Sequence, residues 1–372
     1  MFARLANRPD VVSFATGAPD PALLPGELVA SLAGAAVARY GNSVLQYGMT
    51  RGFGPLLEQA AELLLRRGVD RPDGTHIATG GSGALHNVCM ALLAPGDVVL
   101  VETPTYAPAV KVFRSHGARV VAVASDEHGI LPESLETALV RHDATFVYLL
   151  PTFHNPTGRT MPAARRQRVA DVLGRRGTLV VEDDVYTDLR YRGEPVPALS
   201  SFAPNNSVYI TSLSKTLAPA VRIGIAAMAP ELLARVLVLK QGIDMQTSTF
   251  TQAIAAEFLA GSAGRAHLAT TVASYAAKLE TLAAALDALL PAGFEWTRPD
   301  GGMFLWVTGP AGFDADAMLE RALDAGVAYL PGSVFHVDTS PRNTMRLSFA
   351  GVPREDIERG VALLAKLCTE AA

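Results

Sequence analysis

The sequence contains little cysteine, little lysine and little charge overall. It has two cysteines, Cys89 and Cys368, and only five of its 32 cationic residues are lysines. Two cysteines cannot build a disulfide framework, and their spacing is not that of a zinc site, so we expect a reducing compartment, the cytoplasm. Charged residues make up 18% of the chain, below the usual quarter or so, which excludes a disordered chain and a coiled coil.

The chain also lacks long apolar runs and an excess of positive charge. No run of about 18 apolar residues occurs, and the N-terminus has no apolar signal-peptide core, so we expect no membrane span and no secretion signal. The 32 cationic residues stand against 36 anionic ones, giving a net charge of −4, so nothing favours nucleic acid as a partner. At 372 residues and 49% hydrophobic content, the chain can form two or three domains with sizeable cores.

What the sequence does contain is an alternation of short β-rich runs with helical stretches. Several runs are apolar throughout, such as VVLV and FVYLL, as expected for strands covered on both faces. This alternation predicts an α/β domain with a mostly parallel, doubly wound sheet flanked by helices. The predicted strands lie at 76–79, 98–102, 119–124, 146–150, 179–183, 207–211 and 223–228.

The C-terminal part of the sequence has a different pattern of predicted helices and strands. A long helix with apolar residues at steps of three and four is followed by short strands and two helices, which predicts a smaller α+β domain. The predicted elements are a helix at 272–289, strands at 294–297, 303–307 and 345–349, a helix near 314–325, and a last helix from Pro353. We assign 31–270 to a large α/β domain, and 1–30 together with 271–372 to the small domain.

Polar residues gather where the predicted strands end, and ligands of an open α/β sheet bind beyond such ends. The loop TGGSGAL at 79–85 leads into a helix, and its glycines and free N–H groups suit a phosphate, although it also fits an ordinary turn. His86 stands where a dinucleotide fingerprint has Gly or Ala, which argues against that fold. The carboxylates of EDDVY at 182–186 need a cationic ligand or a metal, and no cluster of metal ligands accompanies them.

Lys215 is the lysine we expect in a functional site. It follows a strand end within SLSKTLAPAVR at 212–222, a nearly uncharged neighbourhood. Desolvation or a neighbouring cation lowers the pKa of a lysine and makes it a nucleophile. A pyridoxal 5′-phosphate site needs an anion-binding loop, a carboxylate and a lysine of this kind, and the sequence places all three at successive strand ends of one sheet. The other lysines are expected on solvated helix faces: Lys111, Lys240, Lys278 and Lys366.

The sequence resembles the class I/II aminotransferases of pyridoxal phosphate fold type I, especially the 2-aminoadipate/kynurenine aminotransferase branch, over nearly its whole length. The pattern S-x-S-K-x(6)-R, combined with NPTG and D-x-x-Y in this order, is highly specific. The markers are LQYGMTRG at 45–52, GSGAL at 81–85, TPTY at 103–106, NPTG at 155–158, DDVY at 183–186, SLSK at 212–215 with Arg222, GGMF at 301–304, and RLSF at 346–349.

The resemblance implies a role for each catalytic position. Lys215 would carry the cofactor as a Schiff base and then move the substrate's α-proton. Asp183 would pair with the ring nitrogen, which a buried carboxylate stabilises in its protonated form. Tyr186 and Asn155 would hydrogen-bond the phenolic oxygen of the ring, and Tyr106 would stack on it. Without the resemblance, Tyr106 fits plain packing equally well.

The resemblance also implies residues that bind the phosphate and the substrate. Arg346 would grip the α-carboxylate through its planar fork, helped by Asn155 and the backbone near Gly17. Tyr47 would reach the phosphate from a second subunit, so we expect a homodimer. Taken alone, Arg346 also fits a salt bridge and Tyr47 an ordinary turn. The phosphate cradle implied by the family consists of Gly81, Ser82, Gly83, Ser212, Ser214 and Arg222.

Three alternatives stay open at the level of sequence. Elimination, cyclisation and decarboxylation begin on the same cofactor, so a lyase, cyclase or decarboxylase fits the same motifs. A ligand-sensing domain of the GntR-type regulators is a weaker alternative, because such regulators need an N-terminal helix-turn-helix domain and this chain is acidic. Asp20 is either a turn residue or a partner for a cationic substrate side chain. A dicarboxylic substrate is not favoured, because 242–247 has no arginine.

Overall fold

The structure is a computed structural model and describes residues 10–338 and 341–371. Residues 1–9, 339–340 and 372 of the predicted small domain lie outside the described residues. The strands are β1 (Val12–Ser13), β2 (Thr75–Thr79), β3 (Val98–Glu102), β4 (Arg119–Val123), β5 (Ser125–Asp126), β6 (Gly129–Ile130), β7 (Ala144–Leu149), β8 (Leu179–Asp183), β9 (Ser207–Ser212), β10 (Ile223–Ala227), β11 (Glu295–Trp296), β12 (Phe304–Thr308), β13 (Val327–Ala328), β14 (Leu330–Pro331) and β15 (Thr344–Ser348). The α-helices are α1 (Gly26–Tyr40), α2 (Gly54–Arg66), α3 (Gly80–Leu92), α4 (Ala107–Ser115), α5 (Pro132–Arg141), α6 (Ala163–Arg176), α7 (Leu199–Phe202), α8 (Pro230–Gln241), α9 (Thr249–Ala260), α10 (Ser262–Leu289), α11 (Ala315–Asp324) and α12 (Arg354–Ala371).

The larger sheet has seven strands in the order β2-β10-β9-β8-β7-β3-β4. All neighbours run parallel except β10, which is antiparallel to both β2 and β9. Strands β3, β9 and β10 are buried along their whole length, as expected for strands that helices cover on both faces. Helices α3, α4 and α8 cover one face, while α2, α5, α6 and α9 cover the other. The predicted α/β fold is confirmed, with strand ends displaced by one or two residues.

The reversed direction of β10 has a consequence for the site. Ile223, the first residue of β10, pairs with Thr79, the last residue of β2. Arg222, which precedes β10, is therefore brought beside Gly80, the first residue of α3. The start of β10 and the carboxyl ends of the parallel strands thus meet at one edge of the sheet.

The C-terminal part forms a four-stranded antiparallel sheet in the order β11-β12-β15-β14. Helices α10 and α12 pack their apolar residues against it. Strand β1 pairs in parallel with β13, joining Val12 to Val327, so the N-terminal segment contacts this smaller unit. Helices α1 and α10 run through the predicted boundaries at 30/31 and 270/271, and the division into domains stays a prediction.

Two of the lysines expected on solvated surfaces are buried, so those predictions are wrong. Lys240 is fully buried and pairs with Asp244 at 2.6 Å. Lys278 is also buried, and its ammonium lies 2.6 Å from Asp20. Each buried charge has a carboxylate partner, and the partner of Lys278 is far away in sequence. Lys111 and Lys366 are exposed, as predicted.

One stretch, Pro21–Leu45, is long and apolar enough to cross a membrane by length and composition alone, with a mean hydropathy of 1.5. In the structure it consists of α1 between two short 3₁₀ helices. Its inward residues Leu32, Ala36 and Val44 pack on the helices that cover the larger sheet. Most of its remaining surface is exposed.

Candidate active site

A cavity of about 460 Å³ opens at the edge where the strand ends meet. The larger sheet, the antiparallel sheet and the N-terminal residues 15–19 all contribute to its wall. Most of the residues predicted from the sequence lie together here: Gly17, Gly81, Ser82, Tyr106, Asn155, Asp183, Tyr186, Ser212, Ser214, Lys215, Arg222 and Arg346.

One end of the cavity is built to receive an anion. The first turn of α3 presents free N–H groups, and the positive end of a helix attracts negative charge. The Arg222 guanidinium lies against Gly80, so close that a Cβ on Gly80 would be 2.4 Å from Arg222 Nη2. Gly80 also has a φ of +76°, which favours glycine. The hydroxyl oxygens of Ser212 and Ser214 lie 2.8 Å apart beside this turn.

Asp183, at the end of β8, has one carboxylate oxygen satisfied and one free. Tyr148 donates a 2.6 Å hydrogen bond to Oδ2, whereas the buried Oδ1 has no partner among the described residues. Burial raises the pKa of Asp183 to about 6, although the hydrogen bond from Tyr148 opposes the shift and Asp184 adds to it. A buried, unpaired carboxylate oxygen is costly unless a donor or a positive charge faces it.

The neighbouring carboxylates already have protein partners. Glu182 accepts hydrogen bonds from the backbone of Leu199 and Ser200 at 2.9 and 2.7 Å. Asp184 accepts one from Tyr209 at 2.7 Å. Within 10–338 and 341–371, no group of three or more His, Cys, Asp and Glu could hold a metal ion. Of this run, Asp183 is therefore the carboxylate available to a ligand.

Lys215 lines the same cavity. Its ammonium donates a 2.9 Å hydrogen bond to Gly17 O. Burial, together with the charges of Arg346 and Arg222, lowers the pKa of Lys215 to about 8. A larger fraction of this amine than of an ordinary lysine is therefore neutral and nucleophilic near neutral pH.

Arg346, on β15, is held from several sides. Its Nη1 donates to Asn155 Oδ1 at 3.0 Å, and its Nη2 donates to Ala15 O at 2.6 Å. The guanidinium lies 4.3 Å from the ring centre of Phe304 and 5.1 Å from that of Phe335. Burial lowers the pKa of Arg346 to about 10, so the group stays cationic at neutral pH and suits a carboxylate.

The remaining polar wall consists of aromatic hydroxyls and an amide. Asn155 Nδ2 donates to the Tyr186 hydroxyl at 3.4 Å. Burial raises the pKa of Tyr106 to about 12 and that of Tyr186 still further. Both phenols therefore stay protonated and can donate hydrogen bonds to a ligand.

Two of the predicted residues do not line the cavity. Gly83 lies inside α3, where a Cβ would make only an ordinary 3.5 Å contact with Thr79. Tyr47 is 78% exposed on this chain. Sequence reasoning also missed Tyr148 and Phe335. A tyrosine in the apolar run FVYLL was a usable signal, because a buried tyrosine hydroxyl needs a partner.

The aminotransferase class I and II family matches residues 9–364, and the chain belongs to that family. It is 36% identical to aromatic-amino-acid aminotransferase 1 of Thermococcus litoralis, over 99% of this chain and 90% of that protein. The solved multiple substrate aminotransferase of Thermococcus profundus has a TM-score of 0.94 at 36% identity, covering 100% of this chain and 94% of its own. The α-aminoadipate aminotransferase of Thermus thermophilus, complexed with N-(5′-phosphopyridoxyl)-L-leucine, has a TM-score of 0.92 at 35% identity, covering 100% and 95%.

These findings establish the reaction class and the cofactor. The chain is a pyridoxal phosphate-dependent aminotransferase of fold type I, with an amino acid and a 2-oxo acid as substrates. The predicted family, activity and cofactor are confirmed, and the other pyridoxal phosphate reactions are not favoured. The cavity fits this cofactor by its own geometry, because the unpaired Asp183 Oδ1 suits a protonated ring nitrogen and the turn beside Arg222 suits a phosphate.

Proposed function

We propose that this cavity is the transamination site and that Lys215 is its catalytic residue. Bound pyridoxal phosphate supplies an aldehyde that captures amino groups and a ring that accepts electrons. The observation that carries the proposal is that Lys215, the Arg222 turn and Asp183 with its free oxygen line one cavity. Ser82, Ser212 and Ser214 bind the phosphate together with that turn.

We assign the remaining roles to individual side chains. With the cofactor bound, the Lys215 amine would hold it through its aldehyde and would serve as the base that takes up and gives back the α-proton of the substrate. Asp183 keeps the ring nitrogen protonated, while Asn155 and Tyr186 donate to the phenolic oxygen. Arg346 binds the α-carboxylate and so fixes the direction of the Cα–H bond relative to Lys215.

We further propose that the amino donor has a large apolar or aromatic side chain. The cavity wall carries the rings of Tyr106, Phe304 and Phe335. The cations among its described lining residues are Lys215, Arg222 and Arg346, and each is engaged by the roles above, so a second substrate carboxylate finds no counter-charge among them. The similarity to an aromatic-amino-acid aminotransferase supports the same preference.

A homodimer in the cytoplasm is the assembly we propose. Leu45, Tyr47, Met49, Ile243 and Met245 are exposed. The two segments that carry them touch, because Thr249 Oγ1 donates to Gln46 O at 3.3 Å. Such a patch suits a second copy of the chain, whose Tyr47 would then complete the phosphate site. Both cysteines are buried free thiols, which is typical of a reducing compartment.

The half-reaction tests the function. Purified holoenzyme mixed with phenylalanine should change its visible spectrum to that of the pyridoxamine form and return with a 2-oxo acid. Lys215→Ala should lose this interconversion and keep its fold by circular dichroism. Release of carbon dioxide or of an eliminated group, with no return by 2-oxo acid, would contradict transamination.

A further inference from the structure

The N-terminal strap, residues 14–20, covers one side of the cavity. Its residues 15–19 belong to the cavity wall. Where the strap begins, Phe14 N donates to Ala328 O and Ser348 N donates to Phe14 O, both at 2.8 Å. The start of the strap is thus fixed to the smaller antiparallel sheet by backbone hydrogen bonds.

Two carbonyls of the strap hold the two cations that face the substrate. Ala15 O accepts a hydrogen bond from Arg346 Nη2, and Gly17 O accepts one from Lys215 Nζ. The backbone also lies so close to Phe304 that a Cβ on Gly17 would be 3.0 Å from the ring. The position of the strap therefore determines where both cations point.

The other end of the strap is anchored by a buried ion pair. Asp20 Oδ2 accepts a 2.6 Å hydrogen bond from Lys278 on α10, and Asp20 N donates to the Tyr275 hydroxyl at 3.0 Å. Lys278 also donates to Ala350 O at 2.9 Å. The second oxygen of Asp20 accepts from Ala22 N at 3.0 Å. The side chain of Lys278 is 5% exposed and that of Asp20 is 14% exposed. Breaking a buried ion pair leaves an uncompensated charge.

We propose that Asp20 and Lys278 are positioning residues for substrate binding, because their ion pair holds the N-terminal strap against Arg346 and Lys215. The inference rests on the roles proposed above for these two cations. It also assigns Asp20 a partner within the protein. Asp20 is therefore not a recognition group for cationic substrates, which was one of the two interpretations left open by the sequence.

The test compares Lys278→Met, Asp20→Asn and the double variant as holoenzymes. An α-methyl amino acid, which lacks the α-hydrogen, binds without reacting, so its Kd can be read from the visible spectrum. We expect each single variant to raise this Kd and the KM on the order of tenfold, since small displacements of positioning groups have effects of this size or larger. Phenylalanine and lysine as donors should be affected by the same factor. The double variant should be no worse than the worse single variant.

Lys366→Met, at an exposed lysine of α12, is the matched control and should leave Kd and KM unchanged. An unchanged Kd in a folded variant with a lowered Tm would overturn the proposal, because the pair would then serve stability alone. A loss confined to lysine as donor would overturn it in favour of substrate recognition by Asp20. If Lys278→Met does not fold, Asp20→Asn decides, since it removes the negative charge of the ion pair and leaves a side chain of nearly the same size. If the proposed site itself were wrong, Arg346→Met in an otherwise wild-type chain would leave the Kd of the α-methyl amino acid unchanged. This result separates failure of the proposed site from failure of the inference about Asp20 and Lys278.

Discussion

At the scale of single residues, the environment of Asp183 sets the chemistry of the site. One oxygen faces a tyrosine donor and the other is left for the cofactor, while burial holds the pKa of the carboxyl at about 6. The hydrogen bond from Tyr148 favours the ionised form, which is the form that stabilises a protonated ring nitrogen. We therefore expect Tyr148 to act on the cofactor through Asp183, as a positioning residue.

Replacing Tyr148 by Phe tests this role. A hydrogen bond to a charged group contributes about 1.5–3 kcal/mol, so kcat/KM should fall about tenfold to a hundredfold. Because the lost bond lowered the pKa of Asp183, that pKa should rise, and the acid limb of the pH profile should move to higher pH. Tyr329→Phe is the matched control, since Tyr329 is buried outside the cavity and donates to Ala315 O at 2.6 Å. Equal profiles for the two variants would refute the role of Tyr148.

At the scale of elements, the antiparallel strand β10 shapes the end of the cavity where we propose that the phosphate binds. Its direction brings Arg222 to the first turn of α3, and Gly80 leaves room for the guanidinium. The same edge collects the ends of β8 and β9, which carry Asp183 and the loop of Lys215. Side chains separated by more than a hundred residues thus converge because of strand order and direction.

Gly80→Ala should disturb this junction. The new Cβ would overlap Arg222 and displace its guanidinium, so the Kd for cofactor should rise about tenfold or more, as for the loss of a hydrogen bond to a charged group. A non-glycine residue in the left-handed region would separately lower the free energy of unfolding by about 1–2 kcal/mol. Equilibrium dialysis of the apoprotein with pyridoxal phosphate measures this. Gly174→Ala, in α6 with nothing within 4 Å of its Cβ, should not alter the Kd. A wild-type Kd for Gly80→Ala would show that the junction does not bind the phosphate.

The sequence predicted strands and helices better than it predicted which side chains form ion pairs. Continuous apolar runs identified the strands of the larger sheet, since a strand covered on both faces has few polar positions. The buried states of Lys240 and Lys278 were missed, because helix periodicity alone cannot reveal a counter-ion such as Asp20, which folding brings from a distant segment. The pattern of strand ends predicted that Lys215 and Asp183 lie close together, whereas only the resemblance implied Arg346, which β15 of the antiparallel sheet brings to the same cavity.

At the scale of the whole molecule, the exposed apolar patch around Tyr47 suits contact with a second copy of the chain. A charged residue there should block the association of two copies, because burying an unpaired charge in an interface is costly. Leu45→Glu combined with Met245→Glu should therefore yield a monomer in light scattering, with weaker cofactor binding because Tyr47 no longer reaches a second site. Val140→Glu, at an exposed valine of α5, is the control and should stay dimeric. A monomeric wild-type chain with full cofactor occupancy would contradict the shared site.

The central claim is that the amino group of Lys215 carries the cofactor, and one measurement tests it most directly. Holoenzyme is reduced with borohydride, digested, and its peptides are weighed by mass spectrometry. We predict that the peptide containing Lys215 gains the mass of a phosphopyridoxyl group, and that those containing the four other lysines do not. An unmodified Lys215 peptide from protein saturated with pyridoxal phosphate would contradict the account.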